Sequence, residues 1–112
     1  MTSSKVLGAA AFALVAGYGV SLYAGPEHPS ALFKQYCAKC HGEDGKGQTE
    51  EGKKKGARDL SNAKWQATIS DERMIRSITR GRDMMPAWGK ALTPEQIKEL
   101  VKEVRTLAGP PL

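Results

Sequence analysis

Residues 37–41 read Cys37-Ala38-Lys39-Cys40-His41, "CAKCH", and contain both cysteines of this 112-residue chain. A disulfide between them can form in an oxidising compartment, but it closes too small a loop to stabilise much and gives His41 no role. A redox dithiol of the thioredoxin kind follows a strand in a βαβ unit, and no strand pattern precedes Cys37. A zinc site needs four ligands. Cys37, Cys40 and His41 supply three, adjacent Cys and His side chains diverge, and the other histidine, His28, lies in a proline-flanked linker. The remaining reading is Cys-x-x-Cys-His, the signature of covalent haem attachment. Thiols three residues apart are neighbours on one helical face. They can add to the two vinyl groups on one porphyrin edge, and the adjacent imidazole swings under the iron.

Upstream of this motif the chain divides sharply. From Val6 to Ala24 nothing is charged, and only Lys5 precedes the run as a positive residue. Cation, apolar run and small residues in that order form a secretory signal, with cleavage points after Ser21 or Ala24. As a helix the run would span roughly 28 Å, close to a bilayer core, so an uncleaved N-terminal anchor is the alternative. Either reading over residues 1–24 places the domain outside the cytoplasm, in the periplasm. No lipobox cysteine is present. Residues 25–29, "GPEHP", read as a linker and residues 30–112 as the domain.

Beyond the linker, Leu32, Phe33, Tyr36, Cys37 and Cys40 recur at helical spacing, predicting one short helix that ends at His41 and Gly42. Residues Gly42 to Ala57, "GEDGKGQTEEGKKKGA", are dense in glycine and charge and predict an exposed loop. "SDERMIRSITRG" predicts a helix with Ser70 as N-cap, Asp71 and Glu72 in the first turn, and Gly81 as its stop. Met74, Ile75 and Ile78 form its apolar face. The last helix starts on a capping box, Thr93 with Gln96, and has Pro94 at its first position. Ile97, Leu100, Val101, Val104 and Leu107 make its stripe, and Gly109-Pro110-Pro111 is expected to end it. No period-two pattern predicts a substantial sheet, so the fold class is all-α. The segment after Ala24 is short, with Phe33, Tyr36, Trp65 and Trp88 its only aromatics. A chain of this size usually needs a staple, and a large planar apolar cofactor would supply one.

The formal charge is +5, or +4 without Lys5. The one basic run, Lys53-Lys54-Lys55, reads either as a solvated loop or as a docking patch for an acidic partner, which speeds encounter. No aromatic interleaving or recognition motif points to nucleic acid.

An iron held by His41 on one side needs a second axial ligand. "GRDMMPAWGK", residues 81–90, offers Met84 and Met85 in an irregular stretch between two helices. Pro86 forces Met85 out of helical geometry and stiffens the segment. Met74, by contrast, reads as core.

At this point "CAKCHG", "GKG", "RDL", the tryptophan five residues later, "SDERMIRSITRG", "MPAWG" and "LTPEQIKELVKEVRTL" together resemble a small monohaem class I c-type cytochrome, over about residues 30–108. The resemblance implies a few helices wrapped round one covalent haem c, with the first and last helices crossing through Phe33 and Tyr36 against Leu100, Val101 and Val104. It implies Met85, the methionine before Pro86, as the axial ligand. It further implies Leu60 against the ring, Trp65 or Arg58 near a propionate, and Trp88 at the haem edge or over the methionine loop. The sequence departs from many relatives in having "GARDL" without the usual proline, which leaves open which carbonyl holds the outer nitrogen of His41.

A His/Met-ligated iron has no open position, so the expected function is one-electron carriage between redox protein partners with acidic docking surfaces, not catalysis. Two alternatives stand beside it. One is the same domain tethered by residues 6–24 into a larger membrane oxidoreductase. The other is a haem-based gas sensor or peroxidase with a labile methionine, which the absence of a second histidine within residues 30–112 or of a distal catalytic arginine motif disfavours.

Overall fold

A computed structural model describes residues 29–109. The expected signal or anchor over residues 1–24, His28 and the linker before Pro29, and residues 110–112 lie outside the described residues. Six helices follow one another: α1 (Ala31–Tyr36), α2 (Ala38–His41), α3 (Glu50–Lys55), α4 (Ala63–Thr68), α5 (Asp71–Arg80) and α6 (Pro94–Thr106). Among the described residues the only β-type pairing is an isolated bridge between Arg82 and Met85. No described helix is long and apolar enough to cross a membrane.

The two helices with the clearest caps form as expected. Ser70 accepts from the Arg73 N–H at the start of α5, and Gly81 caps its end. Thr93 and Gln96 form both bonds of the capping box on α6. Helix α6 ends at Thr106 with Leu107 as its cap, before the expected Gly109 stop.

Two expectations are corrected, and one further helix appears. The single helix before His41 is broken at Cys37, whose φ of −120° and ψ of −39° depart from helical values and separate α1 from α2. The expected loop over 42–57 contains α3. Thr49 caps it, Glu50 and Glu51 occupy its first turn, Lys53 to Lys55 its last, and Gly56 ends it in the left-handed region at φ 68°. Charge sorted in this way favours a helix at both ends, and the pairs Glu50–Lys54 and Glu51–Lys55 add i,i+4 support. The lysine run is therefore the exposed end of a helix. Helix α4 is unheralded by any apolar stripe. Asn62 caps it by accepting from the Trp65 N–H.

The core consists of Phe33, Leu60, Met74, Ile78, Leu92, Ile97, Leu100, Val101 and Val104. Phe33 is fully buried and shares this cluster with the α6 stripe. Ser30, at the head of α1, fixes the first helix to the last: its N–H and hydroxyl donate to the Glu103 carboxylate at 2.7 and 2.5 Å. Tyr36 is half-buried and sets its ring edge-on to Trp88.

Two polar side chains join α4 to α6. Gln66 is buried, and its Nε2 donates to the carbonyls of Leu60 and Val104, both at 2.7 Å. Arg105 donates to the Gln66 and Ile69 carbonyls at 2.6 Å and to Asp71 at 2.8 Å. Its guanidinium thus adds donors to carbonyls at the end of α4, where the Gln66 carbonyl otherwise has only a long bond from the Ile69 N–H. Replacing Gln66 by leucine keeps the volume but removes the side-chain donor to the buried Leu60 carbonyl and one of two donors to that of Val104. Gln66→Leu should lower stability by about 1–3 kcal/mol, read as a shift in the urea midpoint of the haem-loaded protein with an unchanged slope.

Candidate functional site

Helix α2 carries Lys39, Cys40 and His41, with Cys37 at its N-cap. Four residues cannot hold a helix by themselves, so α3 holds it. The Thr49 hydroxyl lies 2.7 Å from the Lys39 carbonyl and 2.9 Å from that of Cys40, and accepts from the Gly52 N–H at 2.9 Å. Gly52 is buried so closely against this turn that a Cβ there would lie 2.1 Å from the Cys40 carbonyl oxygen. Only glycine permits that approach. The chain between α2 and α3 folds back on the same turn, with the Gly47 N–H donating to the His41 carbonyl at 2.7 Å.

His41 Nδ1 lies 3.0 Å from the Arg58 carbonyl. A carbonyl only accepts, so Nδ1 carries the proton and Nε2 keeps its lone pair. The carbonyl that "GARDL" left unspecified is thus that of Arg58. Burial lowers the His41 pKa below its ordinary value, partly opposed by this backbone bond, a balance that favours the neutral ring a ligand must be. Burial, followed by the charge of Glu103, pushes the Cys37 thiol up to about 12. The two cysteines are free thiols, each half-buried.

These groups open on a cavity of about 810 Å³. It brings together every candidate site residue: Cys37, Cys40 and His41; Arg58, Leu60 and Trp65; Met85, Pro86 and Trp88. Leu60 is buried, and the Arg58 guanidinium stands 5.1 Å from the Trp65 ring centroid, a cation–π contact. Met85 is half-buried against the core, whereas Met84 is 60% exposed. The Met85 segment is held by its own backbone: Arg82 and Met85 exchange hydrogen bonds of 3.1 and 2.8 Å, and Asp83 takes a φ of 52° in the turn between them. Beyond it, the Trp88 and Gly89 N–H groups donate to the Ile78 and Thr79 carbonyls at the end of α5.

The cavity has the size of a cofactor site, and its chemistry fits a haem. Six core residues, Phe33, Leu60, Met74, Ile78, Leu100 and Val104, also line it, so an apolar ring would complete the core. The unpaired thiols and the free imidazole nitrogen share one short helical segment. Among the described residues no cluster of three or more His, Cys, Asp or Glu side chains offers a bare-metal site.

Sequence reasoning missed Thr49, Gly52 and Gln66. The first two carried a signal in the cap-like "TEEG", overridden by the glycine and charge around it. A buried glutamine has no periodic signature.

An all-α fold with both thiols and the histidine facing one apolar cavity defines a c-type cytochrome domain. Residues 24–102 match the family model described as cytochrome C oxidase, cbb3-type, subunit III, and the chain belongs to that family. It is 42% identical over 79 residues to the cbb3-type cytochrome c oxidase subunit FixP of Azorhizobium caulinodans, covering 70% of this chain and 26% of that protein. It is 34% identical over 87 residues to subunit CcoP of Azospirillum brasilense, covering 77% of this chain and 30% of the relative. The chain thus spans less than a third of either relative's length. Among solved structures, the KustC0563 c-type cytochrome is similar at 45% identity and a TM-score of 0.64, over 68% of this chain and 92% of that one.

Proposed function

We propose that this domain is a one-electron carrier holding a single haem c, attached through Cys37 and Cys40 and ligated by His41 and Met85. The haem supplies the exchange between ferrous and ferric iron. His41 is oriented by the Arg58 carbonyl, which fixes its proton on Nδ1, and Met85 by the turn it closes with Arg82. A thioether ligand raises the potential, as does burial. The observation that carries the reading is the convergence of His41 and Met85 on one cavity, with Met85 half-buried against the core while its neighbour Met84, on the same cavity, is 60% exposed. A site filled on both faces leaves substrate no position on the metal, so the domain transfers electrons and does not catalyse.

Two alanine variants test the axial pair. The oxidised protein should show a low-spin spectrum with a thioether-to-iron charge-transfer band. Met85→Ala should abolish that band and Met84→Ala should keep it. A band that survives Met85→Ala, or a high-spin wild type, refutes the assignment and moves the search towards sensing or peroxide chemistry.

The partner is a redox protein with an acidic surface round its own cofactor. The cavity wall carries Lys39, Lys55, Arg58, Arg73 and Arg82 against Asp59 and Asp83. Met84, the exposed large apolar side chain of the described residues, lies on the same rim. Steering by such a rim weakens with salt. Oxidation of the reduced protein by ferricyanide should slow as ionic strength rises. Lys39→Glu with Arg73→Glu should slow it several-fold at low salt and converge with wild type at high salt; equal rates at low salt would remove the rim from the encounter.

A second reading rests on the family: the domain works tethered within a larger oxidoreductase. The family match begins at residue 24, where the uncharged run ends. In a tethered protein, carbonate-washed membranes retain the haem and the chain keeps its N-terminus. In a free periplasmic carrier, the haem is released with the periplasmic fraction and the chain starts near Gly25.

A further inference from the structure

The segment that presents Met85 has to stay closed for the iron to keep two protein ligands. Its backbone is fastened to one neighbour, the C-terminal end of α5, through Trp88 to Ile78 at 2.8 Å and Gly89 to Thr79 at 3.1 Å. Those bonds fix where the segment leaves α5. The tie across to the attachment side of the cavity is a side-chain contact. Tyr36, the last residue of α1 and the direct neighbour of Cys37, meets the Trp88 ring edge-on, with centroids 5.1 Å apart and planes 72° to each other. Both rings are half-buried and both line the cavity. Trp88 stands three residues beyond Met85, so a movement of the segment that carries Trp88 away from α1 parts the two rings.

We propose that the Tyr36–Trp88 ring pair is a latch that keeps the Met85 segment closed, making Tyr36 a positioning residue for the sixth ligand of the iron. The proposal rests on the Met85 reading above. The latch acts through the equilibrium between a closed segment with Met85 on the iron and an open one with Met85 displaced. An edge-on aromatic pair favours the closed state beyond what its buried area contributes. An added ligand that competes for the iron binds only the open state, so its apparent affinity scales with the open fraction. Loss of the pair therefore appears as tighter binding of an external ligand.

The test titrates imidazole into the oxidised, haem-loaded protein and follows loss of the thioether-to-iron band. Tyr36→Leu and Trp88→Leu should each tighten apparent binding about three- to tenfold. The double variant should bind no tighter than the tighter single one, because the two side chains share one interaction. Tyr36→Phe keeps the ring contact and should match the wild type. Gln66→Leu, which loosens the fold away from this contact, should leave the affinity unchanged. Four results would each overturn the latch: wild-type affinity in Tyr36→Leu with the band intact, additive effects in the double variant, an equal shift in Gln66→Leu, or a full shift in Tyr36→Phe. If the wild type has no such band, or keeps it when imidazole binds, the Met85 assignment falls instead and takes the latch with it.

Discussion

The structure depends on one geometric constraint: two thiols and an imidazole must be presented together from a helix only four residues long and the residue that caps it. A helix of that length gains too few hydrogen bonds to offset the entropy of forming it. Its position is borrowed from its neighbours. Gly52 brings the α3 backbone against the Cys40 carbonyl, Thr49 reaches the carbonyls of Lys39 and Cys40, and Gly47 binds the His41 carbonyl. The segment from Gly42 to Lys55 is thus a collar round the attachment turn. Its glycines, which gave the sequence its loop-like look, let the backbone pass that close. The Arg58 carbonyl completes the collar by fixing the imidazole itself.

What was legible in the sequence follows from how local each signal is. Helices α5 and α6 carry their caps, dipole charges and apolar stripes within their own residues, and both formed where read. The motif Cys37, Cys40, His41 is equally local. Helix α3 was misread because its buried contact is made by a glycine, which no hydrophobic periodicity registers. Helix α4 has one buried side chain, the polar Gln66, whose partners Leu60 and Val104 are supplied by the fold. The break at Cys37 was hidden because apolar spacing runs through it unchanged. Of the candidate site, the attachment residues and the methionine segment could be named from motif alone. The contacts that hold them, Thr49, Gly52 and the Tyr36–Trp88 pair, join segments distant in sequence.

The comparisons place this fold unit in two settings. KustC0563 is matched over 92% of its length, so there the unit is nearly the whole chain. In FixP of Azorhizobium caulinodans the matched part is 26% of the protein, so there it is one portion of a longer subunit. In this chain the ties that close the unit are internal: Ser30 to Glu103 between the first and last helices, and Arg105 to the end of α4. What separates a diffusing carrier from a tethered one is therefore sought in the residues before the domain and in its exposed rim, not in its core.

That core has an unusual economy for its size. Of its nine buried apolar residues, Leu92, Ile97 and Val101 pack away from the cavity, while the other six also form its wall. In a domain whose core was complete without a cofactor, such residues would meet other side chains on every face. Here Phe33, Leu60, Met74, Ile78, Leu100 and Val104 are buried and still border the cavity, so the core and the site share one wall. An apolar ring held in the cavity would pack against walls contributed by α1, α5 and α6. A haem bound there would serve both as redox group and as part of the hydrophobic core. Any change that loosens its fit should disturb folding and redox chemistry together.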